Sequence, residues 1–470
     1  MRVLLVQPDQ NRTLGLQQLA RVEPLGLEML AGALLDAHEV ALLDLRVEPD
    51  GLERTLADVR PDLVGISSTF TIDLPRALAI AHAVKAWDDR TFVIVGGHHV
   101  SLSPVDARDP AIDAVVVGEG EGALRELADC LALGGDPADV AGLVLNRNGG
   151  QVCTAARPVL RELDALPRPA RALTERWRSR YYAALATPIA SVETARGCPY
   201  RCDFCSVWRF YGGRIRFKSA ARVVDDLAAV NESTVLFTDD NFLASPRRAA
   251  EIARLIGERG LRKHYNLQAR SDTIARHPEL LAAWRELGLT TVVIGFEKPD
   301  QAGLDGVNKH NSVANNEAAL DVLRHLGIEP VTSFIVDPDA SPADFAALRD
   351  YVRRLRLNLP LFAVLTPLPG TELFTREQAR LTTQDFELFD LVHAVLPTRL
   401  PAPVFYAELA RLWGSSYPAW KVALARLVFA LREHGRPAQE EGWRTALAEI
   451  RRFADPRAYL AGGTTPDRAI

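Results

Sequence analysis

The chain has 470 residues, of which 48% are hydrophobic and 24% charged, with a formal net charge of −5. That length suits two or three domains, and the balance is ordinary for a globular protein, with no basic field to draw nucleic acid. Five cysteines with three clustered argue against a disulfide framework and for a reducing, cytoplasmic setting.

Met1-Arg2-Val3-Leu4-Leu5-Val6 opens as a strand rather than a leader, and the absence of any run of 18 apolar residues predicts no transmembrane segment. Residues 1–140 alternate β-branched runs at 3–6, 40–45, 63–67, 92–95 and 114–117 with helical patterns at 25–35, 52–59, 75–87 and 121–133. The alternation predicts a doubly wound, Rossmann-like α/β domain whose ligand sits at the carboxyl ends of its strands. Ser67-Ser68-Thr69, Gly96-Gly97-His98-His99 and Gly118-Glu119-Gly120-Glu121 stand at those ends, and Glu23-Pro24-Leu25-Gly26 precedes the first helix. Gly96-Gly97 directly after a strand lets the backbone approach a phosphate or nucleotide tail. His98-His99 reads either as metal ligands or as lining for such a tail, the second favoured because adjacent side chains rarely point the same way. Cys130 and Cys153 read as isolated thiols.

Residues 141–190 read as a linker. It opens with a small β-extension at 141–160 around Asn148-Gly149-Gly150 and is then broken by Leu163-Asp164-Ala165-Leu166-Pro167-Arg168-Pro169. Residues 191–375 repeat strand and helix six times, with strands at 191–196, 235–239, 265–269, 291–296, 330–336 and 362–366. Helices are expected at 220–230, 246–259, 278–287, 312–326, 342–355 and 372–379. Six βα units are too few for a closed eight-fold barrel, but functional residues still gather at the carboxyl ends of such strands.

After the first of these strands come Cys198, Cys202 and Cys205, spaced C-x3-C-x2-C. A structural zinc site normally takes four ligands, whereas an iron–sulfur cube can be held by three cysteines with its fourth iron left open. Other strand ends carry Thr238-Asp239-Asp240-Asn241, Gln268-Ala269-Arg270, Gly295-Phe296-Glu297, Asp337-Pro338-Asp339 and Thr366-Pro367-Leu368-Pro369-Gly370-Thr371. Asp240 and Asn241 read equally well as helix caps. Residues 376–470 are helical and Arg-rich. Their apolar stripe at 420–432 reads as packing on the barrel over the substrate cavity, or as a face resting on a membrane, and 462–470 as disordered.

The stretch from Thr194-Ala195-Arg196-Gly197 through Cys205 resembles the radical S-adenosylmethionine (SAM) superfamily. The order of the N-terminal motifs resembles the cobalamin-binding domain that precedes many of those enzymes, and the L-D-x-L-P-x-P break resembles their connector. The chain is thus similar to the cobalamin-dependent radical SAM enzymes over nearly its whole length. Within them, Val192-Glu193-Thr194, residues 208–213, Gly295-Phe296-Glu297-Lys298, residues 334–339 and residues 393–400 are similar to the hopanoid C-3 methylases and related methyltransferases.

That resemblance implies a partial (β/α)6 barrel at 191–375 between a cobalamin domain at 1–140 and a helical region at 376–470. It implies a [4Fe-4S] cluster on Cys198, Cys202 and Cys205. It implies SAM near Phe204, Asp239, Asp240, Asn241, Gln268, Arg270, Glu297 and Pro369, with the backbone of Phe204 at the adenine while its ring also packs. Cobalamin, as methylcobalamin, would run along Glu23, Pro24, Leu25, Gly26, Ser67, Ser68, Thr69, Gly96, Gly97, His98, His99, Gly118, Glu119, Gly120 and Glu121. The D-x-H-x-x-G motif that supplies an axial histidine elsewhere is absent. Its nearest match, Asp36-Ala37-His38-Glu39-Val40-Ala41, lacks the glycine, so no cobalt ligand is expected from it and Phe70 or a neighbour is expected near that face.

The implied activity is C-methylation of an unactivated carbon in a lipid-like or natural-product small molecule, through a 5′-deoxyadenosyl radical and methylcobalamin. A flavodoxin or ferredoxin would donate the electron, and a lipid substrate would place the enzyme at a membrane periphery. A non-methylating relative performing cyclisation, oxidation or ring rearrangement is the alternative. A cobalamin carrier leaves the cysteines unexplained, and a zinc scaffold needs a fourth ligand.

Overall fold

Two mainly parallel sheets, one from each half of the chain, carry the fold in a computed structural model that describes residues 1–9, 14–183, 187–424 and 437–461. The stripe expected over 420–432 lies outside the described residues beyond 424, as does 462–470.

The first sheet contains β1 (Arg2–Gln7), β2 (Glu39–Asp44), β3 (Leu63–Ser67), β4 (Phe92–Gly96), β5 (Ala114–Val116), β6 (Leu143–Arg147) and β7 (Gly150–Cys153), in the order β2-β1-β3-β4-β5-β6-β7. The first five are parallel and the β6–β7 hairpin is antiparallel. Period-2 side-chain alternation between two cores explains why β1 is apolar from Val3 to Val6. Val3 and Leu5 enter a core with helices Leu25–Leu34 and Gly120–Ala132, while Leu4 and Val6 enter the opposite core with helix Leu74–Trp87. The expected β-extension is the β6–β7 hairpin, and it joins this sheet. Asn148 (φ 53°) and Gly149 (φ 73°) form its two-residue turn, both in the left-handed region that such a turn requires. The strand order reverses between β1 and β3, which opens a crevice at their carboxyl ends.

The second sheet runs β8 (Ile189–Val192), β9 (Thr234–Phe237), β10 (His264–Gln268), β11 (Leu289–Glu297), β12 (Glu329–Val336) and β13 (Leu359–Val364), all parallel and in sequence order. A helix follows each strand, and Ser219, Ser245, Ser312 and Ser341 cap four of them by accepting a backbone N–H. Phe237, Tyr265, Trp284, Phe296, Phe334 and Phe362 fill the core, each burial contributing about 2–3 kcal/mol. The first strand departs from expectation. It ends at Val192 instead of reaching Arg196, because the Asp239 carboxylate captures the N–H groups of Thr194 (2.7 Å) and Ala195 (3.0 Å) and draws the chain out of the ladder. The helices Ser271–Arg276 and Gln301–Gly306 were also not expected.

In the C-terminal region, helix Ala402–Ser416 packs on the barrel, with Phe405 edge-on to Phe345 at 5.5 Å and Trp413 edge-on to Phe362 at 5.3 Å. Trp413 also stacks on Phe453 of helix Pro437–Phe453 at 4.5 Å. Among the described residues no helix is long and apolar enough to cross a membrane.

Candidate functional site

The three clustered cysteines lie on an excursion between two short strands, Ala195–Arg196 and Arg216–Phe217, that pair antiparallel. Gly197 (φ 95°) sits at its neck, where a β-carbon would collide with the Arg214 carbonyl. Inside the excursion, Cys205 N–H donates to the Cys202 carbonyl (3.1 Å), and the Trp208 indole donates to the same oxygen (3.1 Å). Cys202 is buried, and Cys198 and Cys205 are half-buried.

Burial pushes all three thiols up, Cys205 to about 12, and each lies within electrostatic reach of at least one of the others. Lys309 and Arg270 oppose that rise at Cys202. Among the described residues no three His, Cys, Asp or Glu side chains converge on one ion-sized point. A cube takes one thiolate per iron, so a spread donor set of three soft thiolates beside cations fits a cluster better than a single zinc.

Around the same rim, Asp239 is fully engaged by Thr194 and Ala195, including the Thr194 hydroxyl, and burial raises its carboxyl to about 6. Asp240 faces Cys198 and Cys205, and burial, with Glu193 adding to it, also raises it to about 6. Asn241 is 1% exposed, and neither its amide nitrogen nor its oxygen has a partner. A buried amide left unpaired costs about 1–3 kcal/mol, so these two atoms have hydrogen-bonding capacity to spare at the rim.

Arg270 lies over the Tyr200 ring at 3.6 Å and donates to the carbonyls of Lys309 (3.0 Å) and His310 (2.9 Å). Lys309 pairs with Glu297 at 2.6 Å, and although burial alone would lower it, Glu297 holds the ammonium above its usual value. Glu297 itself adopts φ 61°, and a β-carbon on Gly295 would strike its carboxylate, so Gly295 is required for the pair. Gln268 is exposed at the end of β10, Phe204 is half-buried, and Pro369 is buried. Next to Pro369, a β-carbon on Gly370 (φ 85°) would meet Leu102 at 2.6 Å, so this barrel loop presses on the first domain.

The facing rim belongs to the first sheet. Gly97 (φ 135°) has no room for a side chain, since a β-carbon would lie 2.5 Å from the Ser68 carbonyl. Ser67 and Thr69 hydroxyls bond each other (3.1 Å), while the buried Ser68 hydroxyl has no partner. Gly26 and Gly118 (φ 86°) face open space, and Phe70, in the loop after β3, is 59% exposed. The two histidines diverge. His98 stacks on Phe210 of the cysteine excursion at 4.4 Å, and burial lowers its imidazole from the ordinary value. His99 instead approaches Thr71 (3.2 Å) and Asp106 (3.4 Å).

Glu23 accepts from Ser191 N–H (2.6 Å) and pairs with Arg171 (2.8 Å) and Arg178 (3.1 Å). Pro24 and Leu25 are buried beside it, and Gly120 packs against Leu30. Glu119 and Glu121 turn to Arg196, Glu119 also to Arg216. Burial alone would raise Glu119, but Arg216 and Arg196 hold its carboxyl below the usual range. His38 lies at the opposite end of the sheet, bonded to Asp129 at 2.9 Å. Lys309, Arg196 and Arg216 were not singled out as site residues from sequence. Lys309 carries no sequence signal of its own; in the structure it sits between Asn308 and His310, both at positive φ.

The B12 binding domain family matches residues 13–128, and the radical SAM superfamily matches residues 192–351. The hopanoid C-3 methylase of Methylococcus capsulatus is 36% identical over 83% of this chain and 76% of its own length. An uncharacterized methyltransferase of Pyrococcus horikoshii is 30% identical over 80% of this chain and 82% of its own. In fold, the chain is similar to the radical SAM methyltransferase TsrM from Kitasatospora setae, solved with cobalamin and a [4Fe-4S] cluster. The TM-score is 0.69 at 22% identity, covering 95% of this chain and 99% of that one.

Proposed function

The chain belongs to the cobalamin-dependent radical SAM enzymes, and we propose that it is a C-methyltransferase acting on an unactivated carbon of a lipid-like or natural-product small molecule. One observation carries this reading. A three-thiol excursion on the barrel rim is stacked, through Phe210 on His98, against a glycine-walled rim of the first sheet. When bound, the reduced cluster and SAM supply the hydrogen-abstracting radical, and methylcobalamin supplies the methyl group.

Cys198, Cys202 and Cys205 would hold the cluster. Asp240, Asn241 and Arg270 would orient the polar groups of SAM, with Phe204, Gln268, Glu297 and Pro369 on the same rim. The Asn241 amide, unpartnered and buried, has most to gain from such a ligand. Lys309 and Arg270 offset thiolate charge at Cys202. Asp239 acts one step back, by shaping the entry to the cysteine excursion. Gly97, Ser68, Gly26 and Gly118 would let cobalamin lie against bare backbone, and the exposed Phe70 would be free to pack on it. The His98–Phe210 stack and the Gly370–Leu102 contact keep the rims together and water out. An external carrier of the flavodoxin or ferredoxin kind would deliver the electron.

The test is anaerobic purification with assay of iron, sulfide and corrinoid, then incubation with SAM, reductant and candidate hopanoid or polyketide-like substrates. About four irons and one corrinoid per chain, 5′-deoxyadenosine, and a product heavier by one CH2 are expected. 5′-Deoxyadenosine with a product lacking the added CH2 would move the enzyme to the non-methylating class. Neither cofactor after reconstitution would overturn the reading.

A further inference from the structure

Both arginines at the neck of the cysteine excursion share a single carboxylate from the other half of the chain. Arg196 stands two residues before Cys198, and Arg216 faces it across the antiparallel pair that closes residues 197–215. Glu119 Oε1 accepts from Arg196 Nη1 (2.7 Å) and from Arg216 Nη2 (2.8 Å), and its Oε2 accepts from Arg216 Nη1 (2.9 Å). Glu121 takes Arg196 Nη2 and Glu193 takes Nε (3.0 Å), so three carboxylates surround one guanidinium that is 6% exposed. Burial alone would lower Arg196, and these carboxylates hold it well above its usual value. Among the ion pairs of the described residues, no other side chain from the first domain reaches both neck strands.

The geometry points to Glu119 as a positioning residue for the iron–sulfur cluster, a latch supplied by the first domain that pins the neck of the cysteine excursion, instead of a contact to cobalamin. The inference rests on the reading that the three cysteines hold the cluster. An Arg fork satisfied from both sides fixes orientation as well as distance, and a buried network loses much of its hold when one charge is removed. Glu119 also follows Gly118, whose α-carbon faces the open first-sheet rim. One peptide therefore connects the surface offered to the corrinoid with the pin on the cluster loop.

Thiol alkylation of the full-length, cluster-free protein tests the latch, read by mass spectrometry at each cysteine for wild type, Glu119→Gln, Glu119→Ala and Glu119→Asp. Cys198, Cys202 and Cys205 are expected to react about ten-fold faster in the Gln and Ala variants, because local opening of the neck limits their exposure. The exposed Cys153 is expected to react at an unchanged rate, and Asp to restore part of the protection. Absorbance titration with hydroxocobalamin should give an affinity within about two-fold of wild type in each variant, and reconstituted Glu119→Gln should lose iron to a chelator faster. Unchanged alkylation of all three cysteines overturns the proposal. So does a fall in corrinoid affinity without faster alkylation, which would make Glu119 a cofactor contact. Wild-type protein that assembles no cluster sinks the functional reading, and iron content alone reveals it, whereas the alkylation contrast still decides the latch.

Discussion

At the rim of the first sheet, missing side chains define the surface; at the rim of the barrel, buried charged and polar side chains do. Gly97 excludes even a methyl group, and Gly26 and Gly118 leave bare backbone facing space. Across from them, Asp240, Asn241, Arg270, Glu297 and Lys309 crowd polar atoms around three thiols. The difference suits two kinds of ligand. A large, mostly neutral ring system is held by shape over a wide area, while a small zwitterion and a charged cluster need individual partners. Substitutions should therefore affect the two sites separately.

The largest effect is expected from Cys202→Ala. Iron should fall from about four per chain to background, and 5′-deoxyadenosine formation by more than about a thousand-fold, with corrinoid binding retained. Gly97→Ala reverses the pattern. Its β-carbon would meet the Ser68 carbonyl in a backbone conformation costly for alanine, a penalty on the order of 3 kcal/mol. Corrinoid affinity should drop at least about ten-fold while iron content holds. Loss of iron in that variant would show that the rims are not independent.

Asn241→Leu should weaken SAM binding about 10- to 100-fold, by equilibrium dialysis, because a ligand partner worth about 1–3 kcal/mol is removed. The same change deletes two buried, unsatisfied atoms, so urea unfolding of the ligand-free protein should show equal or greater stability. The smallest effect concerns pH. Asp239 and Asp240 ionise near pH 6 in the fold, above the ordinary carboxyl value of 3.8, so the native state binds more protons between those pH values. Stability should then fall as pH rises from about 4 to 6 and level off above, with Asp239 contributing on the order of 3 kcal/mol. Asp239→Asn can accept from Thr194 and Ala195 N–H through its oxygen and donate to the Thr194 hydroxyl. It should flatten about half of that slope in melting-temperature measurements across pH.

The parts of this architecture that are written locally were legible in the chain. Strand β3 and helices Leu52–Val59 and Pro278–Leu287 coincide with their apolar patterns, because each buries one periodic face. The cysteine cluster was legible as a cluster because its spacing is local, and the fold keeps all three on one excursion. What escaped depends on pairs distant in sequence. Glu119 meets Arg196 across 77 residues, and Glu23 meets Ser191 across 168. No local pattern marks which acidic residue will be captured by which partner. The end of β8 was misplaced for the same reason, since Asp239 acts on Thr194 from 45 residues away. Lys309 carries no spacing signature, and only its position beside Cys202 in space singles it out.

The Glu23–Ser191 bond also covers an open edge of the barrel sheet. β8 is an outer strand of an open sheet, and its unpaired N–H and C=O groups form a template on which another chain could grow. Glu23 accepts the Ser191 N–H at 2.6 Å and Arg171 donates to the Ser191 carbonyl at 2.6 Å, so both groups are occupied by charged side chains that no incoming strand can displace without burying them unpaired. The first domain and its connector thus shield the barrel margin, and a barrel released from them by proteolysis would expose this edge to strand-by-strand polymerisation.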